Sequence, residues 1–331
     1  MVRQVDVTLS RSQLASSDLG SVEQETIVVS QATEDAMLTA HETGEINAAN
    51  ASERQPVVFV HGLWLLSSSW DRWRHLFEDR GYATVAPSWP DDPDTVEEAR
   101  RHPEAFAGKM VQQVTDHYHE AIAALNRKPA VVGHSFGGLI AQKLAGEGVS
   151  AATVAIDPAP FRGVLPVPAS SLKSSLAVLS NPANRGRAIA LTFDQFRYGW
   201  ANALDESEAR ELYDTFHVPA SAAPIFQAVA ANLNPFSETK VDLGNPDRGP
   251  LFIIGGEKDH TVPPVLTRSQ FKHQEKNPGV TESVELPDRG HSLTIDHGWP
   301  EVAQTALTFI AAQPLGGITE RAPGVTASDR R

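Results

Sequence analysis

The sequence contains no cysteine among its 331 residues. Disulfides, thiolate metal sites and cysteine nucleophiles are therefore excluded, although such a chain tolerates either redox compartment. Lysine and arginine form no cluster and the net charge is −13, so we expect no nucleic-acid partner. The polar N-terminus has no signal-peptide pattern, and no run of about 18 apolar residues occurs. We therefore expect a cytoplasmic protein with no membrane partner.

What is present favours a fold with a large core. Hydrophobic residues make up 41% of the chain, and 23 glycines and 23 prolines punctuate it. Short continuous apolar runs, which are typical of strands buried on both faces, alternate with helical stretches such as Phe106–Asn126. This alternation predicts an α/β fold with a doubly wound, mostly parallel sheet that is covered by helices on both faces.

The alternation of predicted strands and helices stops in the middle of the chain, where aromatics, alanines and prolines occur without a strong strand. The predicted organisation is an N-terminal extension (1–55), a core in two pieces (56–159 and 241–312), a helical cap (160–240) and a disordered tail (313–331). Within the extension, Glu25–Ser30 and Ala36–His41 are predicted as edge strands, and residues 42–55 as a loop.

The most informative motif is Gly133-His134-Ser135-Phe136-Gly137. It lies between the apolar run Ala130–Val132 and the helix-forming run Leu139–Ala145. A Gly-x-Ser-x-Gly sequence between a strand and a helix is the pattern of a nucleophile elbow, a strained turn that exposes a serine hydroxyl. The glycines leave room for the strand and the helix to pass close together. Ser135 is therefore the candidate nucleophile.

A serine nucleophile needs a base within hydrogen-bond reach, and the base needs an orienting acid. His291 is the candidate base and Asp259 the candidate acid, because each follows a predicted strand. Active sites of open α/β sheets form at the carboxyl ends of their strands. The alternatives that stay open are Asp157 or Glu257 as the acid and His297 as the base.

An acyl-transfer enzyme also needs two preorganised N–H groups for the oxyanion. Phe136 follows the nucleophile and is the first candidate. Leu63 is the second, because it lies in His61-Gly62-Leu63-Trp64 directly after the apolar run 56–60. The aromatics predicted to contact substrate are Trp64, Phe161, Phe196 and Trp200.

Four other histidines are interpreted without a role in proton transfer or metal binding. His134 and His61 are interpreted as packing or orienting residues beside the nucleophile and the oxyanion turn. His117 and His119 are two residues apart on a predicted helix, so they point to different faces and do not form a metal site.

Taken in order, the His-Gly turn, the elbow, the segment Gly256-Glu257-Lys258-Asp259 and the turn Gly290-His291 resemble the α/β-hydrolase superfamily over about Pro56 to Ala312. The resemblance implies a triad of Ser135, His291 and Asp259, with no cofactor and no metal. The chain looks most like the capped esterase, lactonase and cofactor-free haloperoxidase branch. It departs from the hormone-sensitive-lipase branch, which has His-Gly-Gly-Gly at the first turn.

The resemblance implies a serine hydrolase that cleaves carboxylic ester or lactone bonds through an acyl-enzyme. An aromatic, proline-rich cap favours a mostly apolar small-molecule substrate of moderate size. The alternatives are a carbon–carbon bond hydrolase or a cofactor-free perhydrolase with the same triad, or a slow-turnover ligand sensor. Whether the protein forms a homodimer is left open.

Overall fold

Eight strands occur in the computed structural model, which describes residues 38–165 and 167–315. In chain order they are β1 (Pro56–Val60), β2 (Ala83–Val85), β3 (Ala130–His134), β4 (Ala152–Ile156), β5 (Ala188–Ile189), β6 (Ala220–Ser221), β7 (Leu251–Gly256) and β8 (Thr281–Leu286). Six of them form one sheet in the order β2-β1-β3-β4-β7-β8, and every neighbouring pair runs parallel.

The helices of the described residues are α1 (Ala40–Ala51), α2 (Asp71–Asp79), α3 (Val96–Arg101), α4 (Val111–Ala123), α5 (Phe136–Gly146), α6 (Ala169–Ser174), α7 (Leu176–Leu179), α8 (Phe193–Gly199), α9 (Glu206–Phe216), α10 (Ala223–Ala230), α11 (Pro264–Gln274) and α12 (Trp299–Ala311). Short 3₁₀ helices cover Ser67–Trp70, Pro103–Phe106, Pro182–Gly186 and Ala231–Leu233. None of these helices is long and apolar enough to cross a membrane.

The apolar runs form strands that are covered on both faces. Val57 and Phe59 point to one face of the sheet, where they pack with the apolar side chains of α2 and α12. Val58 and Val60 point to the other face, where α4 and α5 supply the partners. Because both faces are covered, successive side chains are buried on opposite sides and every position of the strand is apolar. Unbroken apolar runs therefore correctly predicted these strands. The predicted doubly wound α/β fold is confirmed.

The register of the sheet brings the candidate site residues to one edge. Val60 lies opposite Gly133, His134 opposite Ile156, and Ile156 opposite Ile254. Because the strands are parallel, the turns that follow β1, β3, β4 and β7 all open at the same edge.

The segment between β4 and β7 holds the helices α6 to α10. It also contains a short antiparallel pair, β5 with β6, in which Ala188 lies opposite Ser221 and Ile189 opposite Ala220. The sequence predicted helices here but no strands. Two-residue strands have too little apolar pattern to be recognised from sequence, since the pairing is made by residues that are far apart in the chain.

The prediction for the N-terminal extension was wrong over Ala40–Ala51, where a helix takes the place of the end of the predicted strand Ala36–His41 and of most of the predicted loop. Residues 42–55 were predicted as a loop, yet α1 begins at Ala40 and runs to Ala51. Thr39 caps it: the Thr39 hydroxyl accepts a hydrogen bond from the Glu42 amide, and the Glu42 carboxylate accepts one from the Thr39 amide. This Thr-x-x-Glu capping box is a readable start signal. The predicted strand Glu25–Ser30 lies outside the described residues.

The long helix predicted at Phe106–Asn126 is also corrected. A 3₁₀ turn ends at Phe106, and α4 starts only at Val111. Gly108 separates them with φ +76°, a left-handed conformation that cannot continue a helix. Of the predicted tail, Gln313 to Leu315 are described, and the remainder lies outside the described residues.

Candidate active site

Ser135 lies in the tight turn between β3 and α5. Its φ of +57° and ψ of −121° are a strained conformation for a residue with a side chain. Two backbone hydrogen bonds hold the turn in place: the Ser135 amide donates to the Ile156 carbonyl at 2.9 Å, and the Ser135 carbonyl accepts from the Ala159 amide at 2.8 Å. The structure therefore has the elbow that the sequence motif predicts.

Gly133 and Gly137 permit the close crossing of β3, α5 and β1. A Cβ on Gly133 would lie 2.1 Å from the carbonyl oxygen of Gly137. A Cβ on Gly137 would lie 2.1 Å from the carbonyl oxygen of Val60. Both contacts are with backbone atoms that cannot move aside, so any side chain at either position would displace the serine.

The structure brings Ser135, His291 and Asp259, hereafter the triad, into one hydrogen-bonded chain. His291 Nε2 lies 3.0 Å from Ser135 Oγ, and His291 Nδ1 donates to Asp259 Oδ2 at 2.5 Å. Asp259 is further fixed because its Oδ1 accepts from the amides of Thr261 and Val262 at 2.6 and 2.8 Å. All three triad residues are buried. This geometry lets the imidazole accept the serine proton while the carboxylate holds the ring tautomer.

The turn after β1 lies directly against the elbow. A Cβ on Gly62 would be 2.9 Å from Ser135 Cβ and 2.8 Å from the His134 carbonyl oxygen, so only glycine allows this approach. Phe136 is the first residue of α5, and the first amides of a helix have no partner within it. In the part of the chain that the structure describes, neither the Leu63 nor the Phe136 amide donates to another backbone carbonyl. Both amides are thus available to an oxyanion.

His61 supports this turn from behind. Its Nδ1 donates to the Gly62 carbonyl at 3.0 Å, and its Nε2 accepts from the Trp89 amide at 3.2 Å. Burial lowers the pKa of His61 to about 4, so the ring is neutral at pH 7. These contacts agree with an orienting residue, which is how the sequence was interpreted.

An aromatic layer packs on the far side of His291. The Trp200 ring lies edge-on to His291 at 4.7 Å between centroids, and Phe196 stacks on Trp200 at 5.9 Å. His134 donates from Nε2 to the His291 carbonyl at 3.0 Å. Burial lowers the pKa of His134 well below its usual range, and His291 nearby lowers it further, so His134 is neutral.

Phe196 and Trp200 therefore require a correction, because the sequence predicted that they contact substrate. The structure places them behind the imidazole, and neither lines the cavity at Ser135. Trp64 is also not part of the cavity wall. Its Nε1 donates to the Ile189 carbonyl at 2.9 Å, which ties the turn after β1 to the segment between β4 and β7. Composition could not separate these roles, since a substrate-facing aromatic and a packing aromatic look alike in sequence.

A cavity of about 110 Å³ opens at the Ser135 side chain. Apolar side chains line it, among them Phe161, Phe136, Val164, Ile225, Val262 and Leu266. Val167, Leu172 and Val229 form its mouth and are 63%, 49% and 53% exposed. A small apolar group can therefore sit beside the nucleophile, while larger parts of a bound molecule can extend over the mouth.

A model of the alpha/beta hydrolase family matches residues 57–305. The chain belongs to the alpha/beta hydrolase family. Its matched region contains the turn after β1, the elbow and the whole triad. Among curated protein sequences none matches this hydrolase.

Several solved structures are similar to this one in fold. A monoacylglycerol lipase of Paleococcus ferrophilus is 19% identical, with 77% of this chain and 93% of the lipase covered and a TM-score of 0.54. A putative non-heme bromoperoxidase of Mycobacterium tuberculosis is 20% identical, with coverages of 78% and 92% and a TM-score of 0.55. A pyrethroid hydrolase of Sphingobium faniae is 18% identical, with coverages of 78% and 98% and a TM-score of 0.53. At these identities the likeness shows the fold.

The alternative site residues occupy other environments in this hydrolase. His297 is 67% exposed on its side chain and pairs with Glu208 at 2.8 Å, away from Ser135. Glu257 is exposed and accepts from the Asp288 amide at 2.9 Å. Asp157, in contrast, is completely buried next to the triad.

The histidines of α4 are separate from this edge of the sheet. His117 pairs with Glu42 at 2.9 Å, and His119 is exposed. Within the described residues, the one group with metal-ligand spacing is Asp157, Asp259 and His291. Both ring nitrogens of His291 already have partners in the triad, so a metal ion there would displace the histidine from Ser135.

Proposed function

We propose that this hydrolase cleaves carboxylic ester or lactone bonds through an acyl-enzyme on Ser135. The single observation that carries the proposal is the hydrogen-bonded chain Ser135–His291–Asp259 at the inner end of an apolar cavity. Family membership and a fold shared with a monoacylglycerol lipase and a pyrethroid hydrolase support the hydrolase class, and the triad supports the acyl-transfer chemistry.

In the proposed reaction, Ser135 Oγ attacks the substrate carbonyl carbon as His291 Nε2 takes the hydroxyl proton. The amides of Leu63 and Phe136 hold the oxyanion that forms. His291 then gives the proton to the departing alkoxide oxygen, and the carbon–oxygen bond breaks. A water molecule, deprotonated by His291, attacks the acyl carbon, which releases the acid and returns the proton to Ser135. Asp259 stabilises the imidazolium in both steps.

The cavity supports an apolar and rather small acyl group. A cavity of about 150 Å³ lined by aliphatic and aromatic side chains is known to take up benzene. The 110 Å³ beside Ser135 is somewhat smaller. We therefore expect short acyl chains to be preferred, with the rest of a moderate-sized substrate lying along the exposed apolar mouth.

The test is hydrolysis of a series of nitrophenyl esters from acetate to dodecanoate by the wild type and by Ser135→Ala. We expect a maximum at short chains and a loss of at least about 1,000-fold in the variant. Ser171→Ala, which alters another serine of the cavity wall, is the matched control and should retain activity. A fluorophosphonate probe should label the wild type and the control, but not Ser135→Ala.

The outcomes separate this proposal from its alternatives. Labelling of Ser135 without turnover of any ester or lactone would favour a carbon–carbon bond substrate or a ligand-sensing role. If hydrogen peroxide is added and the rate of peracid formation greatly exceeds the rate of hydrolysis, perhydrolysis would be favoured. Turnover that persists in Ser135→Ala would reject the serine mechanism.

A further inference from the structure

Asp157 is a buried carboxyl group that the proposed mechanism does not use. It directly follows β4, is 0% exposed, and has a φ of +38°, which is strained for aspartate. One of its oxygens lies within 4.8 Å of both an Asp259 oxygen and a His291 ring nitrogen. Its Oδ1 accepts from the Gly256 amide at 2.8 Å. Within the described chain its Oδ2 has no donor to accept from.

The two neighbouring carboxyl groups receive unequal numbers of donors. Asp259 accepts three hydrogen bonds, from two loop amides and from His291. Asp157 accepts one. Two carboxylates cannot both remain charged at this separation in a buried site, and the group with more donors keeps the charge. The shared proton therefore belongs on Asp157, at the oxygen that has no donor.

The other titratable groups around Asp157 do not change this assignment. Among the described residues they are Asp259 and His291, which lie within 4.8 Å of it, and His134, which lies opposite Ile156 in the sheet. His134 is neutral, and Asp259 adds negative charge. Burial raises the pKa of Asp157 well above its usual range, and Asp259 raises it further through its charge and a hydrogen bond.

We propose that Asp157 is a positioning residue: a carboxylic acid that stays protonated and donates from Oδ2 to Asp259, keeping that carboxylate in line with His291. This role rests on the proposed function of the triad. Its consequence is that one negative charge, not two, lies behind the imidazole. A second charge would strengthen proton binding by His291 and shift activity to higher pH.

The test compares Asp157→Asn with Asp157→Leu in the full chain. Asparagine reproduces the protonated acid, because its oxygen can accept from Gly256 and its Nδ2 can donate to Asp259. We expect its kcat/KM to stay within about threefold of the wild type, with the acid limb of the pH profile unmoved. Leucine has similar bulk but cannot donate, so we expect kcat to fall about 10-fold or more at similar KM.

Infrared spectroscopy of the resting protein supplies a readout that does not depend on turnover. The wild-type spectrum minus the Asp157→Asn spectrum should show the carbonyl stretch of a buried protonated carboxyl group, because bands from other buried carboxyl groups, such as Asp92, cancel. If the difference lacks this band, or if Asp157→Asn moves the acid limb by about one pH unit or more, Asp157 is charged and the proposal is wrong. Wild-type kinetics in Asp157→Leu would also overturn it. Failure of the ester assay with the band present would reject the proposed function instead.

Discussion

The indole of Trp200 packs edge-on against the imidazole of His291, with ring centroids 4.7 Å apart and an interplanar angle of 81°. The Trp200 carbonyl also accepts a hydrogen bond from the Ser292 amide at 3.0 Å. Trp200 follows α8 of the segment between β4 and β7, whereas His291 follows the edge strand β8. The segment between β4 and β7 therefore packs against the imidazole of the triad and fixes the turn that carries it.

Trp200→Leu should lower kcat about 10- to 100-fold, because the imidazole loses the surface that fixes its orientation. It should also reduce the free energy of unfolding, by less than the about 3–5 kcal/mol expected for truncating a buried tryptophan to alanine. Steady-state kinetics and chemical denaturation measure the two effects. Tyr198→Leu is the matched control, because the Tyr198 ring packs at a tilt against His260, which is not a triad residue, with centroids 4.7 Å apart. Equal losses of kcat in both variants would contradict a specific role for Trp200.

Gly62→Ala should reduce kcat by about 100-fold or more, since the methyl group would push the oxyanion turn away from Ser135. Gly44→Ala is the control, and it should stabilise the protein where Gly62→Ala disrupts the site. Gly44 is inside α1, and a methyl group on it would meet no atom of another element within 4 Å. That change should leave kcat unaltered and stabilise the protein by about 0.5–1 kcal/mol. An active Gly62→Ala enzyme would show that the turn does not supply an oxyanion donor.

Leu172→Trp should change chain-length selectivity without changing the chemistry. Leu172 lies at the mouth of the cavity, whereas Leu176 is equally exposed, at 50% against 49%, but does not line it. We expect Leu172→Trp to lower kcat/KM for octanoate about 10-fold and to leave acetate within about twofold. Leu176→Trp should change neither ester. A selectivity shift in both variants would place the substrate path elsewhere.

Glu42→Gln should weaken the attachment of α1 to the core. Glu42 accepts from the Ser88 amide and pairs with His117, and both contacts cross between elements. We expect a loss of about 1–3 kcal/mol in the free energy of unfolding at pH 7. Glu120→Gln, an exposed change on the helix that carries His117, should have little effect.

The stabilisation by Glu42 should depend on pH in a defined direction. Burial by itself would raise the pKa of Glu42, but the hydrogen bonds with His117 and Thr39 outweigh it and hold the pKa below 4.5. The folded state thus favours the carboxylate, and the stabilisation is present above pH 4.5 and is lost as the pH falls further. Urea unfolding of wild type and Glu42→Gln between pH 7 and pH 3 should therefore show the difference shrinking towards acid pH.

The amino-acid sequence by itself determined the α/β sheet and the elbow. Continuous apolar runs identify strands that are buried on both faces, and the glycines around Ser135 identify a turn with no space for side chains. The candidates Asp259 and His291 also followed from sequence, because both come directly after strands. These are local signals, carried by residues that are neighbours in the chain.

The tertiary structure decided everything that depends on which strand ends lie together. Asp157 and Asp259 both follow strands, and only the pairing of β4 with β7 and of β7 with β8 places both beside His291. The same holds for the aromatics: Phe161 lines the cavity while Trp200 supports the base. The physical reason is that burial and facing direction arise from contacts between segments far apart in the chain.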